Sequence, residues 1–277
     1  MEGRAPPAGP ADLTSPPWGS WGRNAVLGVT SIVSHVYLEL LNSTRVYNLS
    51  TMYEGIFLRG EKRGLLTVCN HISTVDDPSI FATFLPLSFF FTESSHRRNR
   101  WTMCAKEMCF KNRILSDYFQ NGKVLPIERG KGLDQPTIAA MAEKLDSGDW
   151  VHIFPEGKIS TTGRMREGRM KWGAAKILCD GSEGKPAPVV IPYYHLGLQN
   201  VMPLGTMIPR VGHKNTVVVG DPVDLKALLD ECRGKTAGMK AEQKERVYTS
   251  IMQRIEQSLR DLEGECQRLH GEREGAK

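Results

Sequence analysis

A histidine and two aspartates follow an apolar run, and these residue types in this order could move a proton. The run GLLTVC is followed by His71, and Asp76 and Asp77 come five and six residues after that histidine. A neutral imidazole takes up a proton near neutral pH, and a carboxylate on its other ring nitrogen fixes the tautomer and stabilises the imidazolium. The spacing predicts a general base, His71, supported by Asp76, provided that the chain folds back after a strand.

Asp77 has a simpler interpretation than Asp76. It directly precedes a proline, and Asp before Pro is typical of a helix N-cap followed by the first helical residue. For His71 and Asp76 taken alone, a helix start beside an incidental histidine stays open as an alternative, because H-x-x-x-x-D is a short pattern.

Further polar residues stand at the ends of other predicted strands. The run VLPI leads into Arg129 and Gly130, and the run WVHIF leads into the turn F-P-E-G, which contains Glu156 and Gly157. Ligands of open α/β sheets collect beyond the carboxyl ends of strands, and glycine there permits a sharp turn and close approach of backbone to ligand. These residues are therefore candidates for a binding site beside the histidine.

Basic residues continue after the F-P-E-G turn. Arginine suits bidentate contacts to phosphate, and the formal net charge of +5 permits attraction to a phosphate-bearing substrate or an anionic lipid surface. We predict a phosphate contact here, with a solvated basic face as the alternative for any single member. The cluster consists of Lys158, Arg164, Arg166, Arg169 and Lys171.

The elements that must position these residues alternate along the chain from about residue 60. Apolar runs predict strands at 65–69, 101–105, 124–127, 150–154, 189–194 and 216–219. Amphipathic stretches predict helices at 78–86, 111–121, 134–147, 167–179, 224–232 and 240–269. Strands that alternate with helices indicate an α/β fold, with a central mixed, largely parallel sheet flanked by helices.

Composition excludes several classes of protein. With 40% hydrophobic and 24% charged residues the chain is an ordinary globular protein, and its mild positive charge does not indicate a nucleic-acid partner. The six cysteines form no C-x-x-C and no zinc spacing, so we expect reduced thiols without disulfides, and neither a metal nor another cofactor. No G-x-S-x-G nucleophile motif and no complete phosphate loop occurs.

Two apolar segments could meet lipid. Residues 24–41 have apolar positions at helical intervals but are interrupted by His35 and Glu39, which predicts a helix in or partly entering the membrane interface. The alternative is a core helix of a soluble protein. Residues 78–92 contain five phenylalanines and either belong to the core, line an acyl-chain tunnel or enter lipid.

Four blocks in this order resemble the glycerolipid acyltransferase superfamily, over about residues 65–222. They are N-H-x-x-x-x-D, the Gly/Arg element VLPIERG, F-P-E-G, and an apolar strand with an internal proline. Within that superfamily the strings NHISTVDDP, SGDWVHIFPEGK, MKWG and VIPYYHLGLQNVMPLG are similar to the tafazzin family of mitochondrial phospholipid–lysophospholipid transacylases.

The resemblance implies that a fatty acyl chain moves from a phospholipid to a lysophospholipid, as in cardiolipin remodelling, at a mitochondrial membrane surface. His71 and Asp76 would be the catalytic residues. Blocks two to four and the basic cluster would supply the substrate-binding residues Arg129, Gly130, Glu156, Gly157, Lys158 and Pro192.

Two alternatives stay open. The same residues could use acyl-CoA to acylate a lysophospholipid or 1-acylglycerol-3-phosphate, or could acylate the amine of phosphatidylethanolamine. A non-catalytic membrane lipid-binding protein with this fold is the other possibility. We divide the chain into a flexible arm (1–22), a membrane-associating helix (23–45), an acyltransferase domain (46–235) and a C-terminal amphipathic helix (236–277).

Overall fold

The computed structural model of the chain describes residues 13–92, 98–166, 170–206 and 208–275. The strands in these ranges are short and mostly buried. They are β1 (Ser43–Tyr47), β2 (Leu65–Cys69), β3 (Thr102–Ala105), β4 (Val124–Ile127), β5 (Trp150–Ile153), β6 (Val189–Leu196) and β7 (Lys214–Val219).

The central sheet has the strand order β1-β7-β6-β2-β5. β2 pairs in parallel with β5 and β6, β1 pairs in parallel with β7, and β6 pairs antiparallel with β7. A parallel bridge between Trp101 and Val151 continues the sheet to the parallel pair β3-β4. The prediction of a mixed, largely parallel sheet is confirmed.

Helices cover both faces of the sheet. They are α1 (Gly19–His35), α2 (Leu49–Tyr53), α3 (Asp76–Phe84), α4 (Lys106–Cys109), α5 (Arg113–Asn121), α6 (Pro136–Asp146), α7 (Gly173–Cys179), α8 (Leu198–Val201), α9 (Lys226–Cys232) and α10 (Ala241–Gly275). One π turn each continues α1 (Val36–Leu40) and α2 (Glu54–Leu58), and 3₁₀ turns occupy Leu87–Phe91 and Thr236–Gly238.

Alternation along the buried strands produces two separate cores. In β2, Leu66 and Val68 pack with residues from α6, α7, α9 and α10, whereas Leu65 and Cys69 pack with residues from α2, α3 and the π turns. Successive side chains of a strand point to opposite faces, so a strand covered on both faces must be apolar throughout. LLTVC fits this rule except at Thr67, whose buried hydroxyl is hydrogen-bonded to Trp150 Nε1 and His152 Nδ1.

The topology brings the ends of several strands to one edge of the sheet, which we call the catalytic edge. It contains the carboxyl ends of β2, β5 and β6 and the amino ends of β1 and β7, because β7 runs antiparallel to β6. The segments after β2, after β5 and around residues 198–213 therefore meet at this edge.

Segment 78–92 belongs largely to the core. Phe81, Phe84, Phe89 and Phe90 are buried, whereas Phe91 is 64% exposed. A cavity of only about 50 Å³ lies between α1 and α3. That volume holds a few water molecules and is too small for an acyl chain.

The amino-terminal region is packed from residue 13 onward. Residues 1–12 of the predicted arm lie outside the described residues, but Leu13 is buried and Gln120 Nε2 donates hydrogen bonds to the Leu13 and Ser15 carbonyls. The α1 helix buries Val26 and Leu27. No helix in the described ranges has the length and apolarity needed to cross a bilayer.

The expectation of six reduced thiols is wrong for four of them. Cys104 is bonded to Cys109, and Cys179 is bonded to Cys232. The second pair joins the last residues of α7 and α9, which lie side by side on one face of the sheet. A sequence separation of 53 residues carries no pairing signal, because the approach is created by helix packing.

Candidate active site

Asp76 closes the loop that follows β2. Its Oδ2 atom accepts hydrogen bonds from His71 Nδ1 at 2.8 Å, from the Ile72 N–H at 2.7 Å and from the Ser73 N–H at 2.9 Å. The carboxylate thus gathers the backbone between it and the histidine into one tight turn. This turn makes a spacing of five residues workable, although that spacing would not suit one helical face.

His71 is arranged as a general base. Its side chain is 22% exposed, whereas the Asp76 side chain is 0% exposed. Because a carboxylate only accepts hydrogen bonds, Nδ1 of the neutral ring must carry the proton, and the lone pair then lies on Nε2. The buried carboxylate also offsets the positive charge that appears when Nε2 takes up a proton.

Glu156 positions the histidine through the backbone. Its Oε1 accepts the His71 N–H at 3.0 Å, and its Oε2 accepts the Arg166 N–H at 2.8 Å. Ser160 N–H donates to the His71 carbonyl at 2.6 Å, so the turn after β5 holds His71 from both sides of its Cα. Burial raises the pKa of the Glu156 carboxyl, and the two backbone donors oppose that rise. Both carboxylate oxygens are therefore engaged by the protein itself.

The F-P-E-G turn also contacts the imidazole directly. The Phe154 ring stacks on the His71 ring, with centroids 4.1 Å apart and an interplanar angle of 22°. Phe154 in turn packs edge-on against the buried His152 ring at 4.6 Å. The histidine is fixed by its ring face as well as by its hydrogen bonds.

Gly157 and Lys158 complete the turn at the protein surface. Gly157 has φ +65°, a conformation that favours glycine, and a Cβ there would lie 3.3 Å from the flexible Lys171 side chain. Lys158, Arg164 and Lys171 are exposed. Of the predicted basic cluster, Arg169 lies outside the described residues.

Arg129 and Gly130 lie on the catalytic edge but not beside the histidine. They follow β4, which is three strand positions from β2, or about 14 Å at the usual spacing of strands. Arg129 is half exposed and lies 3.3 Å from Glu107. Gly130 has φ +81° in an open turn.

Pro192 is buried within β6. It pairs with Val68 of β2, and its ring together with Leu262 of α10 fills the space where a Cβ on Gly220 would lie. This is the face opposite to Tyr193, which packs with the residues of α3. Pro192 thus lies in the strand that leads to the site, and its ring faces α10.

Asp77 corrects the prediction of a simple helix cap. Its backbone is extended, with φ −110° and ψ 124°, as expected before a proline, but among the described residues its side chain accepts a hydrogen bond from Arg100 and from no helical N–H. Instead Oδ1 pairs with the Arg100 guanidinium at 2.5 Å, and the two side chains are 12% and 3% exposed. Burial raises the pKa of the Asp77 carboxyl, and Arg100 opposes that rise.

The structure brings together three of the predicted residues, His71, Asp76 and Glu156. It adds Phe154 and His195, which the prediction of the site did not include. Both stand at or next to strand ends, and this position is the signal that could have identified them.

The sequence model of the family described as Acyltransferase matches residues 43–195, which is more than half of the chain. The chain is 33% identical over 249 residues to the tafazzin of Drosophila melanogaster, covering 90% of this chain and 62% of that protein. It is 32% identical over 208 residues to the N-acylphosphatidylethanolamine synthase of Arabidopsis thaliana, covering 73% and 70%. It is 36% identical over 165 residues to the Dictyostelium discoideum protein named taffazin, covering 58% and 55%. The chain thus spans less than two thirds of the length of the Drosophila relative.

Proposed function

The chain belongs to the acyltransferase family, and from that premise we propose that it is a phospholipid–lysophospholipid transacylase of the tafazzin type. The observation that carries the proposal is the His71–Asp76 pair, in which the proton-accepting Nε2 belongs to a partly exposed ring while the carboxylate is buried behind it. Cardiolipin remodelling at a mitochondrial membrane is part of the proposal and rests on the resemblance to the tafazzin family.

The proposed reaction needs a base and two lipids but no cofactor. His71 Nε2 removes the proton from a lysophospholipid hydroxyl, and the oxygen attacks the carbonyl carbon of an ester in the donor phospholipid. The donor C–O bond breaks, and the imidazolium returns its proton to the departing glycerol oxygen. General-base assistance of this kind raises the reaction rate by a factor of about 10²–10⁴. The donor leaves as the new lysophospholipid.

In this proposal the exposed cationic side chains of the catalytic edge bind the lipid head groups. Lys158 and Lys171 flank the F-P-E-G turn, close to the backbone that holds the histidine. Arg129 and Gly130 are the more distant contacts, and a glycerophosphate together with the long arginine side chain could span the gap of about 14 Å. Glu156 would support binding indirectly, because its oxygens already accept backbone N–H groups.

An exposed apolar rim at the catalytic edge supports membrane association. It lies where the π turn after α1 meets the loop before β7, since Gly212 N–H donates to the Leu41 carbonyl and Tyr37 Oη donates to the Pro209 carbonyl. The same loop reaches the histidine turn, because Ser73 Oγ donates to the Met202 carbonyl at 3.0 Å. The apolar rim consists of Val36, Leu40, Leu41, Leu204, Ile208 and Val211, which are 39–81% exposed.

We propose that the apolar rim, with the outer face of α1, docks on lipid. Such docking would bring lipid head groups to the His71 loop without a membrane-spanning helix. The experiment is vesicle flotation with Leu40→Glu and Ile208→Glu, which should release the protein, while Leu58→Glu, at a similarly exposed leucine outside the rim, is the control. If the rim variants still bind vesicles, the protein docks on lipid through another surface.

A second candidate function is N-acylation of phosphatidylethanolamine, which the Arabidopsis relative favours. In that case an amine would replace the hydroxyl at His71 Nε2. The deciding assay gives the purified protein labelled phosphatidylcholine with either a lysolipid or phosphatidylethanolamine, without CoA. Label in the lysolipid supports the transacylase, label in an amide supports the alternative, and transfer that requires acyl-CoA overturns both CoA-free reactions.

A further inference from the structure

His195 is a second histidine beside the Asp76 carboxylate. It lies in β6 with a side chain that is 1% exposed, and its Nε2 is 3.8 Å from Asp76 Oδ1. This oxygen is the one that does not contact His71. It is buried and accepts no hydrogen bond from the described residues. The two histidines therefore flank one carboxylate, one on each oxygen.

Asn70 holds the second histidine in place. The His195 N–H donates to Asn70 Oδ1 at 3.0 Å, and Asn70 Nδ2 donates to the His195 carbonyl at 2.9 Å. His195 Nε2 also lies 3.2 Å from the Asn70 carbonyl. These contacts tie the end of β6 to the residue that precedes His71, so the position of the ring relative to the carboxylate is fixed by the sheet.

The surroundings decide where the His195 proton lies. Both groups that face Nε2 are acceptors, the Asn70 carbonyl and the Asp76 carboxylate, so Nε2 must carry the hydrogen. The other nitrogen, Nδ1, is buried and has no partner among the described residues. Burial lowers the pKa of His195 and outweighs the opposing effect of Asp76. The ring is therefore neutral, and its Nε2–H donates to the Asn70 carbonyl while lying 3.8 Å from Asp76 Oδ1.

We propose that His195 is a positioning residue, whose neutral Nε2–H holds Asp76 in the orientation that directs Oδ2 to His71. This inference rests on the proposed function, since it assigns a role to His195 in the same proton transfer. A neutral donor fixes the carboxylate without neutralising it, so the negative charge stays available to the His71 imidazolium. A shift of less than 1 Å would bring the pair within hydrogen-bond range, as catalytic contacts tighten when substrate binds.

The test compares two amide substitutions that differ in reach. In His195→Gln the amide nitrogen can stand where Nε2 stood, whereas in His195→Asn it reaches only the place of Nδ1. Tyr194→Phe is the matched control, because it removes one partly buried hydrogen bond, to Glu263, from the neighbouring position of the same strand. Each protein is assayed for acyl transfer, thermal stability and the imidazole NMR signals of His71.

We expect His195→Asn to lower kcat by about 10-fold to 10²-fold with KM within about twofold, the size of effect that a small misplacement of a catalytic group produces. His195→Gln should keep most of kcat, and Tyr194→Phe should lose stability but not kcat. The His71 Nδ1–H signal should persist in wild type and His195→Gln and weaken in His195→Asn.

Equal kcat and equal His71 signals in the Gln and Asn variants would overturn the inference, because a merely structural histidine would lose stability in both without separating them. If the wild-type protein transfers no acyl chain, the proposed function fails. The NMR comparison of the two variants then still decides whether His195 orients the His71–Asp76 pair.

Discussion

Replacing Asp76 with asparagine should separate the charge of this residue from its shape. Oδ2 accepts three hydrogen bonds, from His71 Nδ1 and from two backbone N–H groups, and an amide oxygen can accept all three. What Asp76→Asn removes is the negative charge behind the imidazole. It also turns Oδ1 into a donor opposite His195 Nε2–H, 3.8 Å away in the native protein.

The expected loss of rate follows from the electrostatics of the pair. A carboxylate and an imidazolium whose charges are centred about 4 Å apart attract by about 4 kcal/mol at an effective dielectric constant of about 20. This attraction exists only after His71 takes up the proton, so its loss raises the barrier rather than weakening substrate binding. At about 1.4 kcal/mol per factor of ten, kcat should fall by about 10³-fold with KM nearly unchanged.

The assay is CoA-free transfer of a labelled acyl chain from phosphatidylcholine to a lysolipid, with a thermal melt of each variant. Folding should lose only about 1 kcal/mol, because the loop keeps its acceptor. Asp134→Asn, an almost fully exposed carboxylate beside Lys176, is the control and should change neither quantity. A folded Asp76→Asn protein that keeps more than about a tenth of kcat would show that the carboxylate charge does not act on the imidazolium.

Three further predictions concern the support around the site. Asp77→Ser keeps a capping oxygen but leaves the buried Arg100 without its carboxylate. Chemical denaturation should therefore show a free energy of unfolding that is about 3–5 kcal/mol lower than that of wild type. A negligible loss would support the interpretation of Asp77 as a helix cap. Burial lowers the pKa of Lys123 to about 7. The unfolded chain then binds the Lys123 proton more tightly than the folded protein does. The free energy of unfolding of wild type, measured relative to Lys123→Met, should therefore rise between about pH 7 and pH 10, by up to about 1.4 kcal/mol per pH unit. A difference between the two proteins that does not change with pH would refute this. Cys179→Ala should cost about 4 kcal/mol for the 53-residue separation to Cys232. Reductant should destabilise wild type by about that much more than the variant, in which only the Cys104–Cys109 bond remains to be reduced.

Much of the sheet could be predicted because its central strands are buried on both faces. β2 and β5 appear in the sequence as largely apolar runs, each with a single polar residue, Thr67 and His152. The predicted strands 65–69 and 150–154 agree with Leu65–Cys69 and Trp150–Ile153 within one residue. The edge strand β1 was missed, because STRVY is half exposed and has no apolar run. Its place in the sheet comes from pairing with β7, which is distant in sequence.

The site could be predicted only as far as local chain geometry determines it. His71 and Asp76 are joined through one turn, so their spacing contained the information. The approach of His195 to Asp76 joins residues 119 positions apart and depends on β6 lying next to β2. The pairing of Asp77 with Arg100 likewise depends on tertiary packing, so the local Asp-Pro pattern indicated a cap instead.

The position of the apolar rim has a consequence for the supply of substrates. The rim and the opening of His71 share one edge of the sheet, so a docked molecule would face the bilayer from a single side. Donor and acceptor would then both be drawn from the nearer leaflet, and acyl chains would be redistributed within that monolayer rather than between the two. In an asymmetric membrane, such an enzyme would equilibrate the fatty acids of one lipid pool and leave the opposite pool to other means of exchange.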